Sequence, residues 1–361
     1  MNQTELVYEK TNGLAPYAYA MAEDGLYFCD QYLPGLFRYD FESEESECVA
    51  IFDRKCMKSN FVKIFVFKDE LWLLPILKEK LVCFNKTTYE VLYYDIPNEI
   101  EEEKAPFLNI FSWKEKAYIV PRGNNRFLIE LDLLTHNMRK LLLLERNKNK
   151  RQLLFNGAVQ IQDKIYLQES TKELLILYDI SNEEIKFIHT NGYQLENVWP
   201  EKIKDKIYFF PIVLKGNEKV LIYDCRDRCF NEEEYPIKNF PQEEVCITLV
   251  YENHIWILAN KQKRIYRMNH KLEIEREIFI LNFNGNEKEI YVSGQVFPDC
   301  FFWNGYQGNP LIQVKGGKIK MLDVCKDKTL LEVYIEIVKR DDGAGGRDRE
   351  LNDGKLIYDV L

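Results

Sequence analysis

Short segments recur along the chain in which an acidic or amide residue and one variable residue precede an apolar–aromatic–apolar triplet. The copies are Asp24-Gly25-Leu26-Tyr27-Phe28, Asp69-Glu70-Leu71-Trp72-Leu73, Glu115-Lys116-Ala117-Tyr118-Ile119, Asp163-Lys164-Ile165-Tyr166-Leu167, Asp205-Lys206-Ile207-Tyr208-Phe209, Asn253-His254-Ile255-Trp256-Ile257 and Asp299-Cys300-Phe301-Phe302-Trp303. Their leading residues are spaced by 45, 46, 48, 42, 48 and 46 residues. The fourth position is aromatic in all seven copies, although aromatic residues make up 14% of the chain. Chance would give that about once in a million.

A second signal keeps step with the first. Asp40, Asn85, Asp179 and Asn269 stand 16 residues after their leading residue. Asp132 follows at 17 and Asp224 at 19, and the last copy has Lys315 instead. An apolar run precedes each, as in Leu175-Ile176-Leu177-Tyr178-Asp179. Short Asp and Asn side chains bond their own backbone and so open turns. Further apolar segments lie before each copy (Lys63-Ile64-Phe65-Val66-Phe67) and after each turn (Glu90-Val91-Leu92-Tyr93-Tyr94). Each unit therefore reads as four strands, A to D.

A lone four-stranded sheet of this kind has two apolar faces and nothing to bury them against. Seven such sheets around an axis cover each other's faces and leave only short edges. The expected fold is all-β, a seven-bladed β-propeller of four-stranded antiparallel blades with strand A innermost. An open stack or a β-sandwich pair fits seven even repeats less well. The expected units begin near residues 15, 60, 106, 154, 196, 244 and 289, so that 1–324 is the propeller. Residues 325–361 are then a C-terminal extension, with a Gly-rich, charged linker over 341–349.

Strand pattern and period resemble the kelch and WD40-type propellers, whose repeats run about 40 to 50 residues. The phrases Asp205-Lys206-Ile207-Tyr208-Phe209-Phe210-Pro211 and Ile222-Tyr223-Asp224 have a bacterial kelch-like look. The resemblance is one of architecture over Ala15 to Val324. Gly316-Gly317 sits between strands C and D of the last unit, not after a strand B, and no Trp-Asp pair closes a repeat. Propellers of this kind host binding modules and enzymes alike.

The segment Glu5-Leu6-Val7-Tyr8-Glu9 alternates and lies just upstream of a complete first unit. It is expected to close the ring at the edge of blade seven, displacing or supplementing Ile319 to Val324. Residues 330–338 read as strand or helix.

Composition narrows the function classes. A net charge of −9 leaves a nucleic-acid partner dependent on a local basic patch, and none is expected. No apolar run is long enough for a membrane helix, and the N-terminus lacks the pattern of a secretory signal. Nine scattered cysteines, an odd number, point to reduced thiols and a cytoplasmic location. Only Cys225 and Cys229 are close in sequence, too few for a zinc site.

The four histidines, His136, His189, His254 and His270, fall at turns or strand ends and read as solvated or edge residues. No phosphate loop, nucleophile elbow or metalloprotease motif occurs. No catalytic residue, metal ligand or cofactor is assigned.

What does not repeat is the set of B–C and D–A loops at one mouth of the channel, and function sits on such loops. An acidic run (Glu99, Glu101, Glu102, Glu103) and a basic run (Arg146, Lys148, Lys150, Arg151) enter adjacent blades. Tyr32, Tyr193 and Gln307 fall at the same mouth. Asn60, Arg122, Trp199 and Tyr306 are the first candidates there, each offering a donor or a stacking face. Trp199 reads more readily as a packed inner-strand residue than as a binding ring. The expected function is a non-catalytic scaffold presenting this mouth to a protein or peptide. The alternative is carbohydrate or small-molecule binding, with isomerase- or lyase-like catalysis as an extension of it.

Overall fold

The structure, a computed structural model, describes residues 4–7, 16–30, 35–52, 61–75, 80–97, 107–121, 123–124, 127–142, 154–169, 173–214, 218–238, 243–281, 291–305 and 310–324. They form seven antiparallel sheets, each with four consecutive strands hydrogen-bonded in chain order. The innermost strands are Pro16–Ala22, Phe61–Phe67, Phe107–Trp113, Leu154–Ile161, Val198–Ile203, Glu244–Tyr251 and Tyr291–Val296. Each touches the inner strand of a neighbouring blade or, between blades seven and one, its second strand. The chain is a seven-bladed β-propeller.

The core lies between the blades. Seven apolar clusters fill the seven interfaces, each drawn from two adjacent blades. The repeated aromatic of strand B is the constant member. Tyr27, Trp72, Tyr118, Tyr166, Tyr208, Trp256 and Phe302 are all buried. Rings this large dominate the burial available to thin sheets.

The Asp and Asn signal is a turn. Asp40 Oδ1 accepts from the backbone N–H of Glu42 and Ser43 at 2.8 and 2.9 Å. Asn85, Asp132, Asp179, Asp224 and Asn269 repeat the arrangement. A left-handed residue ends each of these turns, from Glu44 (φ 56) to Leu272 (φ 62). In the last blade Lys315 cannot accept these bonds. There Gly316 and Gly317 take positive φ of 53° and 72° and make a two-residue hairpin between Lys315 and Lys318.

The ring closes by side chains. Tyr19 of blade one donates to the Phe302 carbonyl of blade seven at 3.0 Å. Lys320 pairs with Glu44 at 2.7 Å, and Ser46 donates to the Val324 carbonyl.

The N-terminal strand corrects the expectation above. Thr4–Val7 pairs in parallel with Ile274–Leu281, the outer strand of blade six. Blade seven already owns a fourth strand, Lys318–Leu322. Blade six also has its own four strands, and Thr4–Val7 adds a further one outside them. Tyr8 and Glu9, and residues 325–361, lie outside the described residues.

Candidate functional site

Two short strands shape the mouth. Gly123–Asn124, from the B–C connection of blade three, pairs with the inner strand of blade four. Val213–Leu214, from the same connection of blade five, pairs with the inner strand of blade six. B–C segments thus lean over the next blade and build a rim of backbone.

Of the four candidates, Asn60, Arg122 and Tyr306 lie outside the described residues, as do both charge runs, Tyr32 and Gln307. Trp199 is described. It is the second residue of the inner strand Val198–Ile203 and is 37% exposed, so it is not packed into a blade interface. The connection that leads to it is pinned. Gln168 is buried, and its side-chain amide donates to the carbonyls of Leu195 (2.5 Å) and Val198 (3.1 Å). Leu195 is buried, and Tyr193 packs on Phe230 of blade five. Gly157 lets blade four approach. A Cβ there would stand 2.5 Å from Pro200, the neighbour of Trp199.

Near Trp199 the inner strands carry charges that the candidate set did not include. The Trp199 indole N–H donates to Glu201 Oε1 at 3.3 Å. Lys63 is on the inner strand of blade two, three blades away, the greatest separation a ring of seven allows. Glu201 is nevertheless the charge that opposes the downward shift of Lys63. Both are half-buried. Burial pushes Glu201 up to about 8 and Lys63 down to about 8, with their mutual attraction opposing each shift. Lys202 donates to the Gln160 carbonyl at 2.8 Å, and Gln160 donates to the Ser112 carbonyl at 2.9 Å, which links blades five, four and three along the inner wall. A signal for Lys63 and Glu201 was present in the sequence. Lys63 is the one charged residue of the otherwise apolar strand Phe61–Phe67, and Glu201 with Lys202 makes a charged pair on the strand Val198–Ile203.

His136 also departs from the edge reading. It belongs to blade three but is wedged into blade two, with its ring edge-on to Trp72 at 5.0 Å. Its Nε2 lies 3.0 Å from Glu70 Oε1, and its Nδ1 lies 2.5 Å from the Tyr94 hydroxyl. No disulfide joins any of the seven described cysteines. Among the described residues no group of three His, Cys, Asp or Glu side chains is placed to hold a metal, and no helix is long and apolar enough to cross a membrane.

An open cleft of about 770 Å³ lies on the opposite side, between blades four and five, lined by Lys164, Tyr166, Phe187, Cys225 and Arg226 among others. Its cations are largely occupied. Lys164 contacts Asp163 and Asp179, and Arg226 contacts Asp205. These are turn-anchoring contacts.

No family model matches the chain, and no curated protein sequence matches it. Solved structures do resemble it. A catalytically inactive virginiamycin B lyase from Staphylococcus aureus, solved with quinupristin, aligns with a TM-score of 0.61 at 11% identity, over 84% of this chain and 95% of the lyase. A chain of the mitotic checkpoint complex aligns with a TM-score of 0.57 at 9% identity, over 90% of this chain and 92% of its own. RRP9 WD40 repeats align with a TM-score of 0.55 at 7% identity, over 82% and 91%. At such identities the likeness is one of fold: the chain shares the propeller architecture of these proteins.

Proposed function

We propose that the propeller is an interaction scaffold whose mouth receives a protein or peptide partner. The observation that carries this reading is Trp199. It is a large ring left 37% exposed on a rigid inner strand, at the end of a connection held by Gln168. Strand repeats explain themselves by burial between blades; an exposed indole on an inner strand does not. A pre-positioned aromatic loses little conformational entropy on binding and is favoured as an anchor. Asn60, Arg122 and Tyr306 belong to the same proposed surface. The WD40 and checkpoint-complex chains that share the fold are compatible with such a role.

The test is capture from the source cell with the full chain as bait, beside a Trp199→Ala bait of equal stability. A partner recovered by the first and depleted several-fold by the second supports the reading. Undiminished recovery removes Trp199 from the surface. A second reading, a carbohydrate or other small ligand, draws on the polar groups gathered beneath the same residue.

A further inference from the structure

We propose that the open cleft between blades four and five binds a small organic carboxylate with an apolar body, its acid group bridging Lys186 and Arg228. The cleft lies on the side opposite the mouth, so the site stands whether or not a protein docks at the mouth.

The turns supply the first observation. The fourth residue after the turn-opening Asp or Asn is Glu44, Tyr89, His136, Glu183 and Arg228 in blades one to five, and each takes the left-handed backbone conformation. Three of them bridge back to the preceding blade. Glu44 pairs with Lys320 of blade seven at 2.7 Å, His136 lies 3.0 Å from Glu70 of blade two, and Glu183 pairs with Arg139 of blade three at 2.6 Å. Lys320 and Arg139 hold equivalent places. Each is on a strand D, opposite the strand-C residue two before Lys315 or Asp132. In blade four that place belongs to Lys186, opposite Leu177 and so two before Asp179. Lys186 and Arg228 thus take the two places that a cation and a glutamate take at the sibling interfaces. Two cations cannot bridge one another.

The cleft is the second observation. It measures about 770 Å³, within the range of small-ligand sites, and both Lys186 and Arg228 line it. Arg228 makes no ion pair among the described residues. Lys186 makes an exposed contact with Glu184 of its own strand at 3.0 Å, and exposed pairs of this kind hold weakly. A carboxylate from outside would stand where Glu44 and Glu183 stand elsewhere, and the guanidinium fork can take a carboxylate through two parallel bonds. Tyr166, Leu177 and Tyr223 also line the cleft, the two rings 6.2 Å apart. Apolar lining beside a pair of cations favours an acid with an apolar body over a bare inorganic ion.

The experiment uses the purified full chain. Benzoate, phenylacetate and 3-phenylpropionate are titrated by calorimetry and by thermal shift, beside phenylacetamide, which keeps the ring and lacks the charge. The expected result is saturable binding of at least one acid, with Tm raised by about 2 °C or more well above its Kd. The amide should give no such shift at the same concentration. Arg228→Gln should weaken that binding tenfold or more while keeping the β-sheet circular dichroism. Arg228→Glu rebuilds the sibling arrangement with Lys186. Glu44 and Glu183 hold the same backbone conformation, at φ 56 and 55, so this variant should lose binding with a Tm no lower than the parent's. Failure of all three acids to bind overturns the proposal. So does equal binding by the amide, or binding that survives Arg228→Gln. A Tm for Arg228→Glu below the parent's does so too, since the two places would then not be equivalent. Capture of a protein partner through Trp199 would proceed regardless of these outcomes, so the two ideas fail separately.

Discussion

His136 of blade three reaches across an interface to Glu70 of blade two, its Nε2 lying 3.0 Å from Glu70 Oε1. The same carboxylate accepts from the Trp72 indole N–H at 3.1 Å, so one acid ties a core ring of its own blade to the turn of the next. His136→Ala should cost about 1–3 kcal/mol, since it strips a partner from Glu70 and from Tyr94 and removes a ring packed on Trp72. A double-mutant cycle with Glu70→Gln in urea should give a coupling of about 0.5 kcal/mol or more. Additive losses would mean that the contact contributes nothing as a pair.

Two tryptophans make a controlled comparison. Trp256 is 2% exposed on strand B of blade six, and Trp199 is 37% exposed on strand A of blade five. Trp256→Ala should destabilise by about 3–5 kcal/mol. Trp199→Ala should cost under about 1 kcal/mol. Chemical denaturation of both variants reads the difference, and equal losses would make Trp199 a core residue.

Removing residues 1–10 tests the added strand. Its partner Ile274–Leu281 would regain a free outer edge, while the contact between Tyr19 and Phe302 that helps close the ring is untouched. Hydrogen exchange should therefore quicken along that strand and stay slow at the interface of blades one and seven. Melting should fall modestly. Loss of protection at the blade-one interface would instead mean that the segment fastens the ring.

Glu201 and Lys63 give stability a pH signature. Glu201 is raised from 4.5 to about 8, so its contribution is fully present below about pH 4.5 and is lost as pH rises through about 8. Relative to Glu201→Gln, the parent chain should lose stability across that window and then level off. At about 1.4 kcal/mol per unit, discounted because Glu201 is only half-buried, the fall should be about 1–3 kcal/mol. Lys63 is lowered from 10.5 to about 8, so its contribution is present above about pH 10.5 and is lost as pH falls through about 8. Relative to Lys63→Met the parent should weaken in that opposite direction. Flat difference curves in urea titrations would show that neither group is enclosed.

The architecture was legible in the chain because it is built from local rules repeated seven times. Strand B alternation, the buried ring at its fourth position and the Asp or Asn that opens the next turn all act within one blade. Each therefore leaves a mark at a fixed spacing. Even the exception was visible, since Gly316-Gly317 stands where Lys315 cannot form the side-chain turn. What acts between blades left no such mark. The pairing of Thr4–Val7 with blade six joins segments 274 positions apart, which no local pattern marks. His136 looked like a turn residue because its partners, Glu70 and Tyr94, lie 66 and 42 positions away. Trp199 was found by its residue type and its place at a strand start. Lys63 and Glu201 are 138 positions apart, and only closure of the ring makes one charge felt by the other. Periodicity reports what each blade must bury on its own; the channel is defined by all seven at once.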